Sequence, residues 1–362
     1  MDKNFKETDF FGKTIDFPNV ALLFGGKGYE HSVSKVGAAN FLKTAKELGI
    51  AILPVYIDKE GSFFIYDGEI SDIEKSEKEL PKKNLKPTFP VRYLGKSGFL
   101  YGDGIISIKR AIPLLHGDYG EDGKIQGLLE CASISFFGEG TTTGAITSDK
   151  AYSKIIAKHV GVKTLPHLLF EKERASVGEI VKAAEEKFGY PIFIKPTNLG
   201  SSIGASMVKC KSEFAKSIEE AFLASDRILV EPALLDKREI ECAYYSAGKR
   251  KIISAPGEVL TGGVFYDYEL KYSEGRAFSA VPNASLTEEV RKTVTEYTEI
   301  LANAFSVKSI ARFDFFVTPD GNVYFNEVNT FPGMTKTSLY SMMLKAEGID
   351  FKAFVYEACY TE

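Results

Sequence analysis

Short apolar runs alternate with amphipathic stretches along the first part of the chain. Runs at residues 20–24, 50–57 and 110–115 predict strands, and the stretch from about 34 to 48 predicts a helix. Strand, helix and strand in this order predict a parallel sheet, whose ligand crevice lies at the carboxyl ends of its strands. The polar residues from about 71 to 87, rich in Lys and Glu, indicate a surface excursion.

A second pattern begins near residue 148. It predicts helices around 151–159 and 177–188 and a strand at 190–195. A further strand at 228–230 leads into a third segment. We therefore expect three domains, at residues 1–147, 148–230 and 231–362.

Near the C-terminal end, the apolar runs 313–317 and 323–325 flank the turn 318–321. The turn contains Pro and Asp-Gly, which are strong turn formers, so we expect an antiparallel hairpin. The hairpin is also the segment that carries most of the recognisable chemistry.

Three side chains with oxygen atoms lie on this hairpin, and Arg312 stands beside them. Asp314 is in the first strand. Glu327 and Asn329 are two residues apart at the end of the second strand, so they point to the same face. Such oxygen ligands suit a magnesium ion that also touches substrate phosphates. The alternative is a solvated face of a surface hairpin.

Composition and charge narrow the classes of function. The 362 residues predict two or three domains, and 44% hydrophobic residues suffice for several cores. A net charge of −4 and a pI of about 5.8 argue against binding to nucleic acid or a membrane surface. No apolar run predicts a transmembrane helix. Residues 1–19 lack the pattern of a signal peptide and predict a short extension, so we expect a cytoplasmic protein.

The four cysteines, Cys131, Cys210, Cys242 and Cys359, are scattered without a CxxC pair. This spacing argues against a structural zinc site and for reduced thiols in the cytosol. We expect all four to be buried as small apolar side chains.

The loop after the first strand is rich in glycine, but it lacks the dinucleotide fingerprint. That fingerprint needs a glycine three residues after Gly28, where His31 stands. Glu30 lies just before the expected helix. Its carboxylate could bind the ammonium group of a ligand or could only interact with the helix dipole.

His116 opens the run HGDYGEDGKIQGLLE at the end of a predicted strand. Four carboxylates crowd this turn, and its glycines permit close approach of the backbone. His116 is therefore a candidate binding residue. The alternative is a histidine that satisfies nearby backbone groups.

The segment PIFIKPTNLGSSIGA is the candidate phosphate site. A predicted strand delivers Lys195, and the loop that follows carries Ser201 and Ser202. Backbone amides, hydroxyls and a lysine form an anion cradle. The loop is not a Walker A motif, because no GK[ST] follows. We expect Lys150, after Asp149, to face the same cleft, although a surface lysine is the alternative.

Two acids follow on neighbouring strands. Glu231 stands at the end of a strand, and Glu239 lies near the start of the next. Each could accept hydrogen bonds from an adenine amine or from ribose hydroxyls, or form a structural salt bridge. Residues 262–272 place two glycines before four aromatic residues and a lysine, which predicts a lid that excludes water.

In order, the chain carries EHSVS, HGDYGEDGKIQGLLE, SDK, KPTNLGSSIG, LVEP, REIEC, FYDYELKY, ARFDFF and NEVNTFPGMTKTSL. Together these motifs, which span residues 20–339, resemble those of the D-alanine–D-alanine ligase family of the ATP-grasp superfamily. The resemblance implies an α/β fold. A Rossmann-like domain with a parallel sheet would precede two ATP-grasp domains that hold ATP between them.

The resemblance also implies roles for individual residues. The ATP-binding residues would be Lys150, Lys195, Ser201, Ser202, Glu231, Glu239 and Phe265, with the two lysines at the phosphates and the two acids at adenine and ribose. Two Mg²⁺ ions, or Mn²⁺, would be held by Asp314, Glu327 and Asn329. The substrate D-alanine molecules would contact Glu30 and His116 in the first site and Lys271, Ser338 and Leu339 in the second. The implied catalytic groups are the hydrogen-bonded set Glu30, Ser201 and Tyr272, and the oxyanion donors Arg312 and the amide of Gly333.

The family's reaction has two steps. The carboxylate of one D-alanine attacks the γ-phosphate of ATP, and the amine of a second D-alanine then displaces phosphate from the acyl phosphate. No enzyme nucleophile is required. The resemblance further implies a homodimer and a role in peptidoglycan precursor synthesis.

The chain departs from the family pattern at Gly28, where serine is usual, and at Arg238, where small residues are usual. A resistance-type D-alanine–D-serine ligase stays open, although an apolar wall at Leu339 favours a methyl side chain. Another ATP-grasp carboxylate–amine ligase or a small-molecule kinase is a second alternative. A non-catalytic nucleotide-binding module should have lost Asp314, Glu327 or Arg312, and all three are present.

Overall fold

The computed structural model describes residues 19–75, 79–260, 279–335 and 338–361. The described helices are α1 His31–Glu47, α2 Ile70–Glu74, α3 Lys124–Cys131, α4 Thr141–Ser148, α5 Lys150–His159, α6 Val177–Phe188, α7 Lys211–Ala224, α8 Glu288–Ala304, α9 Leu339–Ala346 and α10 Phe351–Tyr360. A short 3₁₀ helix spans Lys82–Asn84.

The described strands of the first 140 residues are β1 Val20–Gly25, β2 Ile52–Ile57, β3 Phe63–Tyr66, β4 Leu85–Pro87, β5 Pro90–Tyr93, β6 Lys96–Tyr101, β7 Gly104–Ser107, β8 Arg110–Pro113 and β9 Ser135–Phe136. The later ones are β10 Leu168–Glu171, β11 Ile192–Pro196, β12 Ser206–Val208, β13 Arg227–Pro232, β14 Arg238–Ala247, β15 Arg250–Ile253, β16 Gly257–Leu260, β17 Ser279–Val281, β18 Ile310–Val317 and β19 Val323–Asn329.

The first sheet has the strand order β4-β3-β2-β1-β8-β9. Strands β2, β1, β8 and β9 run parallel, as the sequence predicts, whereas β3 and β4 add an antiparallel edge. Every residue of β1 is buried, which is typical of a strand covered on both faces. The carboxyl end of β1 therefore delivers the glycine loop and Glu30 to the crevice.

The prediction that residues 71–87 form a surface excursion was wrong in part. Within it, β4 pairs with β3 as the edge of the first sheet, and Leu80 is buried. A strand of three residues is too short to show an alternating pattern, so its polar composition hid it. The chain then forms a small antiparallel sheet from β5, β6 and β7, which the sequence did not predict.

The second sheet is antiparallel, with the order β10-β13-β11-β12. Helices α6 and α7 bury their apolar residues against it in one core. A capping box formed by Ser176 and Glu179 fixes the start of α6, in agreement with the predicted helix at 177–188. This sheet carries Lys195 on β11 and Glu231 on β13.

The third sheet has the order β17-β16-β14-β18-β19, with β15 added on β14. The predicted hairpin is confirmed as β18 and β19, and Gly321, with a φ of +80°, closes its turn. The register shifts after Asp314, which leaves Asp314 opposite Glu327 and Arg312 opposite Asn329. The hairpin thus gathers four polar side chains at one end of the sheet.

The C-terminal helices return to the N-terminal sheet. Residues of α1, α9 and α10 share one core, and the rings of Phe41 and Phe354 meet edge to face at 6.5 Å. The buried carboxylate of Glu139 accepts hydrogen bonds from the backbone of residues 308–310, which ties the N-terminal region to β18. These contacts fix the first and third sheets around a common cleft.

The cysteine prediction was wrong for two of four residues. Cys242 and Cys359 are buried, but Cys131 and Cys210 are exposed on helical segments or their ends, and all four thiols are free. Sequence spacing cannot tell which face of a helix a cysteine occupies. In the described ranges, no helix has the length and apolar character needed to cross a membrane.

Candidate active site

Two adjoining cavities occupy the cleft between the sheets. The smaller has a volume of about 290 Å³ and lies between the second and third sheets, and the larger, of about 610 Å³, is bounded by loops of the first and third sheets. The polar residues that line both cavities are Lys150, Ser201, Glu241, Arg312 and Glu327. These five side chains form the wall shared by the two cavities.

The smaller cavity collects most of the residues predicted to bind nucleotide. Its wall contains Lys150, Lys195, Ser201, Ser202, Glu231 and Glu239, together with Asp314, Arg312 and Glu327 of the hairpin. Apolar residues such as Phe193 and Leu234 complete it. Cations and apolar surface within one cavity suit a ligand with phosphates and a flat ring.

Glu231 lies between two lysines. Its Oε1 is 2.8 Å from the Nζ of Lys154, and its Oε2 is 2.8 Å from the Nζ of Lys195. Burial opposes the charge of Glu231, but the two lysines outweigh that effect and lower its pKa to about 2. Burial lowers the pKa of Lys154 to about 8 against the attraction of Glu231. Lys154 was missed in the sequence, although its position four residues after Lys150 places both on one helix face.

Lys150 connects the glycine–serine loop to the hairpin. Its Nζ donates to the carbonyl of Leu199 at 2.7 Å and lies 3.1 Å from Oε2 of Glu327. Burial raises the pKa of Glu327, yet Lys150 and Lys195 hold it down at about 2. Lys195 also donates to Oδ1 of Asn326 at 2.9 Å. Both predicted cations therefore face the cleft, and each lies beside a carboxylate of its wall.

The hairpin patch centres on Arg312. Its guanidinium donates two hydrogen bonds of 2.7 Å to the carboxylate of Asp314, and its Nε lies 3.2 Å from Glu241. Burial opposes the charge, but Asp314 and Glu241 hold the pKa of Arg312 well above its usual value. Asn329 donates through Nδ2 to Asp314 at 3.1 Å. The sequence reasoning did not single out Glu241, which stands opposite Asp314 on β14.

Asp314, Glu327 and Asn329 lie on the adjacent strands β18 and β19. Glu327 lines both cavities, Asp314 lines the smaller one and Asn329 the larger one. Among the described residues, no three His, Cys, Asp or Glu side chains are close enough to hold a metal by themselves. The donor set here is two carboxylates and one amide oxygen, and Mg²⁺ commonly takes few protein ligands and fills its remaining positions with phosphates and water. These residues therefore fit a Mg²⁺ ion that arrives with a nucleotide.

Glu239 faces the smaller cavity at the start of β14. Lys237 donates to its Oε1 at 2.5 Å, and the same ammonium lies 3.8 Å from the centre of the Phe316 ring. Arg238 is turned away, since it makes two hydrogen bonds with Glu258 at 2.8 and 2.6 Å. The alternation of the strand thus keeps Arg238 from displacing Glu239.

In the larger cavity, the hydroxyl of Ser201 donates to Oε1 of Glu30 at 3.0 Å across 171 residues of sequence. This contact joins the glycine–serine loop to the loop after β1. Gly117 packs against the same carboxylate, because a Cβ built there would lie 2.7 Å from Oε2 of Glu30. At Gly28, a Cβ would lie 2.9 Å from the carbonyl oxygen of Asp118, so a serine at this position would require the backbone to shift.

His116 contacts the loop after β19. Its Nδ1 lies 2.9 Å from the carbonyl oxygen of Phe331, whose amide donates to Glu121 at 2.9 Å. Glu121 also accepts from the amide of Gly117 at 3.0 Å. Burial raises the pKa of Glu121 despite these contacts. The charged loop HGDYGED thus fixes the segment that carries Gly333.

The far side of the larger cavity is formed by the segment after Phe331. Gly333 packs against Ser338, whose Oγ would lie 3.1 Å from a Cβ at that glycine. Ser338 Oγ lies 2.7 Å from the Thr335 hydroxyl, and Leu339, at the start of α9, is buried beside it. Both residues line the larger cavity together with Gly333. Phe265, Lys271 and Tyr272, and the lid predicted around them, lie outside the described residues.

The smaller cavity lies between two antiparallel sheets and has lysines that suit phosphate groups. It adjoins a second cavity at the edge of a parallel sheet. Together these features define an enzyme of the ATP-grasp class. Two family descriptions match the chain, "D-ala D-ala ligase N-terminus" over residues 19–139 and "D-ala D-ala ligase C-terminus" over 156–358. The chain therefore belongs to the D-alanine–D-alanine ligase family, which confirms the resemblance seen in its motifs.

Relatives and solved structures agree with this membership. The chain is 35% identical to the D-alanine–D-alanine ligase of Caldicellulosiruptor bescii over 93% of its own length and 92% of the relative, and 34% identical to that of Acetivibrio thermocellus over 94% of both. Among solved structures, the VanG D-Ala:D-Ser ligase from Enterococcus faecalis superposes with a TM-score of 0.83 at 30% identity, covering 94% of this chain and 97% of that one. The D-alanine–D-alanine ligase from Coxiella burnetii gives 0.81 at 26% identity, with 94% and 92% covered.

Proposed function

We propose that this protein joins two D-alanine molecules into D-alanyl-D-alanine, with conversion of ATP to ADP and phosphate, for peptidoglycan precursor synthesis. The observation that carries the proposal is the wall shared by the two cavities. Lys150, Arg312 and Glu327 line both of them, so a phosphate in the smaller cavity and a carboxylate in the larger one meet at the same side chains. Family membership supports the same reaction.

In the first step, ATP binds in the smaller cavity with its phosphates at Lys150 and Lys195. D-alanine binds in the larger cavity with its ammonium group at Glu30, which Ser201 holds in place. The D-alanine carboxylate attacks the γ-phosphorus, the bond to the β-phosphate oxygen breaks, and ADP is the leaving group. Proximity and charge neutralisation supply the catalysis, because the protein forms no covalent bond to the substrate.

In the second step, the neutral amine of another D-alanine attacks the acyl carbon of D-alanyl phosphate. Negative charge gathers on the carbonyl oxygen, where Arg312 and the amide of Gly333 act as donors. The bond between the acyl carbon and the phosphate oxygen then breaks, and phosphate leaves with one of the original carboxylate oxygens and takes up the proton that the amine loses. His116 assists the first amino-acid site, while Ser338 and Lys271 receive the carboxylate of the second D-alanine.

Mg²⁺, or Mn²⁺ in its place, would be held by Asp314, Glu327 and Asn329, with two ions in the complete site. A bound metal supplies neutralisation of the negative charge on the phosphates. The other assigned residues act on the nucleotide and on the order of the loops. Glu231 and Glu239 bind adenine and ribose, Ser202 and Phe265 contact ATP, and Tyr272 joins the set of Glu30 and Ser201.

The test is an assay of ADP and phosphate release with ATP, Mg²⁺ and D-alanine. We expect ADP, phosphate and dipeptide in equal amounts, with no release when D-alanine is omitted. Release that ignores D-alanine but responds to another amino acid would contradict the substrate assignment.

A D-alanine–D-serine ligase is the second candidate, because the structural likeness to the VanG D-Ala:D-Ser ligase is high. Leu339 favours D-alanine, since its buried side chain offers an apolar surface to the second substrate. A pocket of this kind discriminates a hydroxyl only weakly, by about 10² or less. Competition among D-alanine, D-serine and D-lactate, with products identified by mass, decides between the candidates.

The protein also acts in the cytoplasm as a homodimer under this proposal. Light scattering in solution should then give twice the chain mass of 39.9 kDa. A monomer with full ligase activity would contradict the proposed dimer but not the proposed reaction.

A further inference from the structure

A third lysine stands behind the two that face the cleft. Lys154 lies one helical turn after Lys150 on α5 and is fully buried. It does not line either cavity in the described part of the chain, whereas Lys150 and Lys195 do. Its ammonium group therefore has no direct access to a bound nucleotide.

The contacts of Lys154 lead to the nucleotide site through Glu231. The Lys154 ammonium is 2.8 Å from one carboxylate oxygen of Glu231, and Lys195 is 2.8 Å from the other. The second neighbour of Lys154, the carbonyl of Phe325, is 3.5 Å away, which is long for a hydrogen bond. Glu231 is thus the main electrostatic partner of Lys154.

The carboxylate of Glu231 is shared between two ammonium groups. The next carboxylate, that of Glu327, lies 3.1 Å from the ammonium of Lys150. Because Glu231 is shared with Lys154, it neutralises Lys195 only in part. An ammonium group that is only partly neutralised at the edge of a cavity favours an anionic ligand, here the phosphates of the nucleotide.

We infer that Lys154 is a positioning residue for ATP, which acts through Glu231 to keep the charge of Lys195 available to the phosphates. The inference rests on the proposed function in taking ATP as the ligand of the smaller cavity. Without Lys154, Glu231 would pair with Lys195 alone, and the two charges would cancel. The attraction for ATP would fall even though no residue that touches ATP had changed.

The experiment compares Lys154→Met with Lys158→Met in the full chain. Lys158 is one turn further along the same helix but exposed, so it controls for the loss of a lysine from α5. Equilibrium binding of ATP is measured by calorimetry without D-alanine, together with KM and kcat. We expect the Kd and KM for ATP to rise about tenfold in Lys154→Met, with kcat and the KM for D-alanine within about twofold, and no change in Lys158→Met.

The same comparison is made in a Glu231→Gln background. If Lys154 acts through Glu231, adding Lys154→Met to Glu231→Gln should change the Kd for ATP by less than about twofold. A tenfold change there would overturn the inference, because Lys154 would then act by another route. Glu231→Gln alone leaves the buried ammonium of Lys154 without its carboxylate, whereas the double variant leaves neither charge unpaired. Circular dichroism of each variant establishes that it is folded before its Kd for ATP is compared.

An unchanged Kd for ATP in a folded Lys154→Met variant would also overturn the inference and leave Lys154 a structural residue. ATP binding is measured without the amino acid, so this outcome is distinct from a failure of the proposed function. A protein that bound ATP with the expected lysine dependence but did not ligate D-alanine would contradict only the latter.

Discussion

The two cavities at the centre of this protein are built from different kinds of structure. The smaller one is lined largely by side chains on strands, such as Lys195 on β11, Glu231 on β13 and Asp314 on β18. The larger one is lined by loops, including those that carry Glu30 and Gly333. The groups of the smaller cavity thus stand on strands of two sheets, whereas those of the larger cavity stand mostly on loops from distant parts of the chain.

The loops of the larger cavity are held by contacts between residues that are far apart in the sequence. Ser201 and Glu30 are 171 residues apart in sequence, and His116 and Phe331 are 215 apart, yet each pair is within hydrogen-bond distance. The smaller cavity also joins two sheets, since Lys195 on β11 donates to Asn326 on β19 at 2.9 Å. The larger cavity should be the more sensitive of the two, because the groups that meet there stand on loops rather than on strands.

The largest effect is expected at the wall that both cavities share. Glu327→Gln removes a charge that pairs with Lys150 while it keeps the shape of the side chain. We expect kcat to fall by about 10³, since the proposed metal site would lose a ligand and Lys150 would lose its partner. Steady-state kinetics and circular dichroism measure activity and fold, with Glu299→Gln, an exposed acid paired with Lys251, as the control. Normal turnover in Glu327→Gln would contradict the metal assignment.

The second effect concerns the contribution of Glu231, in the smaller cavity, to the stability of the fold at low pH. The pKa of Glu231 lies near 2 in the folded protein, below its value in the unfolded chain, so the charged form stabilises the fold above about pH 4.3. That contribution is lost as the pH falls from about 4.3 towards 2. Between pH 5 and pH 3, urea unfolding of the wild type should lose about 2 kcal/mol more than unfolding of Glu231→Gln. An equal loss of unfolding free energy in both proteins would show that Glu231 is not responsible for the sensitivity to acid.

The third effect tests the loops of the larger cavity. Gly117→Ala forces a Cβ to within 2.7 Å of Glu30, at a residue with a φ of +63°. We expect the KM for the first D-alanine to rise about tenfold while the KM for ATP changes little. Gly161→Ala is the matched control, since its φ is +85° but nothing lies near its Cβ. That control should lose only about 1 kcal/mol of stability, and an equal rise in KM there would attribute the effect to backbone strain.

The smallest effect is expected at Glu239, which is proposed to bind the ribose of the nucleotide. Lys237→Met frees Glu239 from the ammonium held over Phe316. We expect the KM for ATP to rise about threefold, because a less fixed carboxylate binds ribose hydroxyls less well. The variant and the wild type should not differ with 2′,3′-dideoxy-ATP, which lacks both hydroxyls. A threefold difference in KM with that analogue as well would show that Lys237 does not act through the ribose hydroxyls.

The same contrast explains how much could be predicted from the sequence. The hairpin of β18 and β19 and the parallel order of β1, β2 and β8 follow from local patterns, and the structure confirms them. Lys154 did not stand out, because a lysine on a helix gives no sign of burial until the packing of α5 against β19 is known. The edge strand β4 was missed because its pairing with β3, not its composition, makes it a strand.

For the site, residue types predicted which groups belong together but not their partners. Glu241 was overlooked because its part in the site depends on the register that places it opposite Asp314. Gly28 seemed a departure from the family, but its close contact with Asp118 is a matter of three-dimensional packing. The roles of Phe265, Lys271 and Tyr272 stay predictions of the resemblance.

The most direct measurement follows the oxygen atoms of the substrate. The central claim is that a carboxylate in the larger cavity attacks a phosphate in the smaller one. With D-alanine labelled by ¹⁸O in its carboxylate, the released phosphate should carry one ¹⁸O atom per molecule, detected by mass spectrometry, while the dipeptide is formed. Dipeptide formation with unlabelled phosphate would contradict this claim, because the reaction would then not pass through an acyl phosphate.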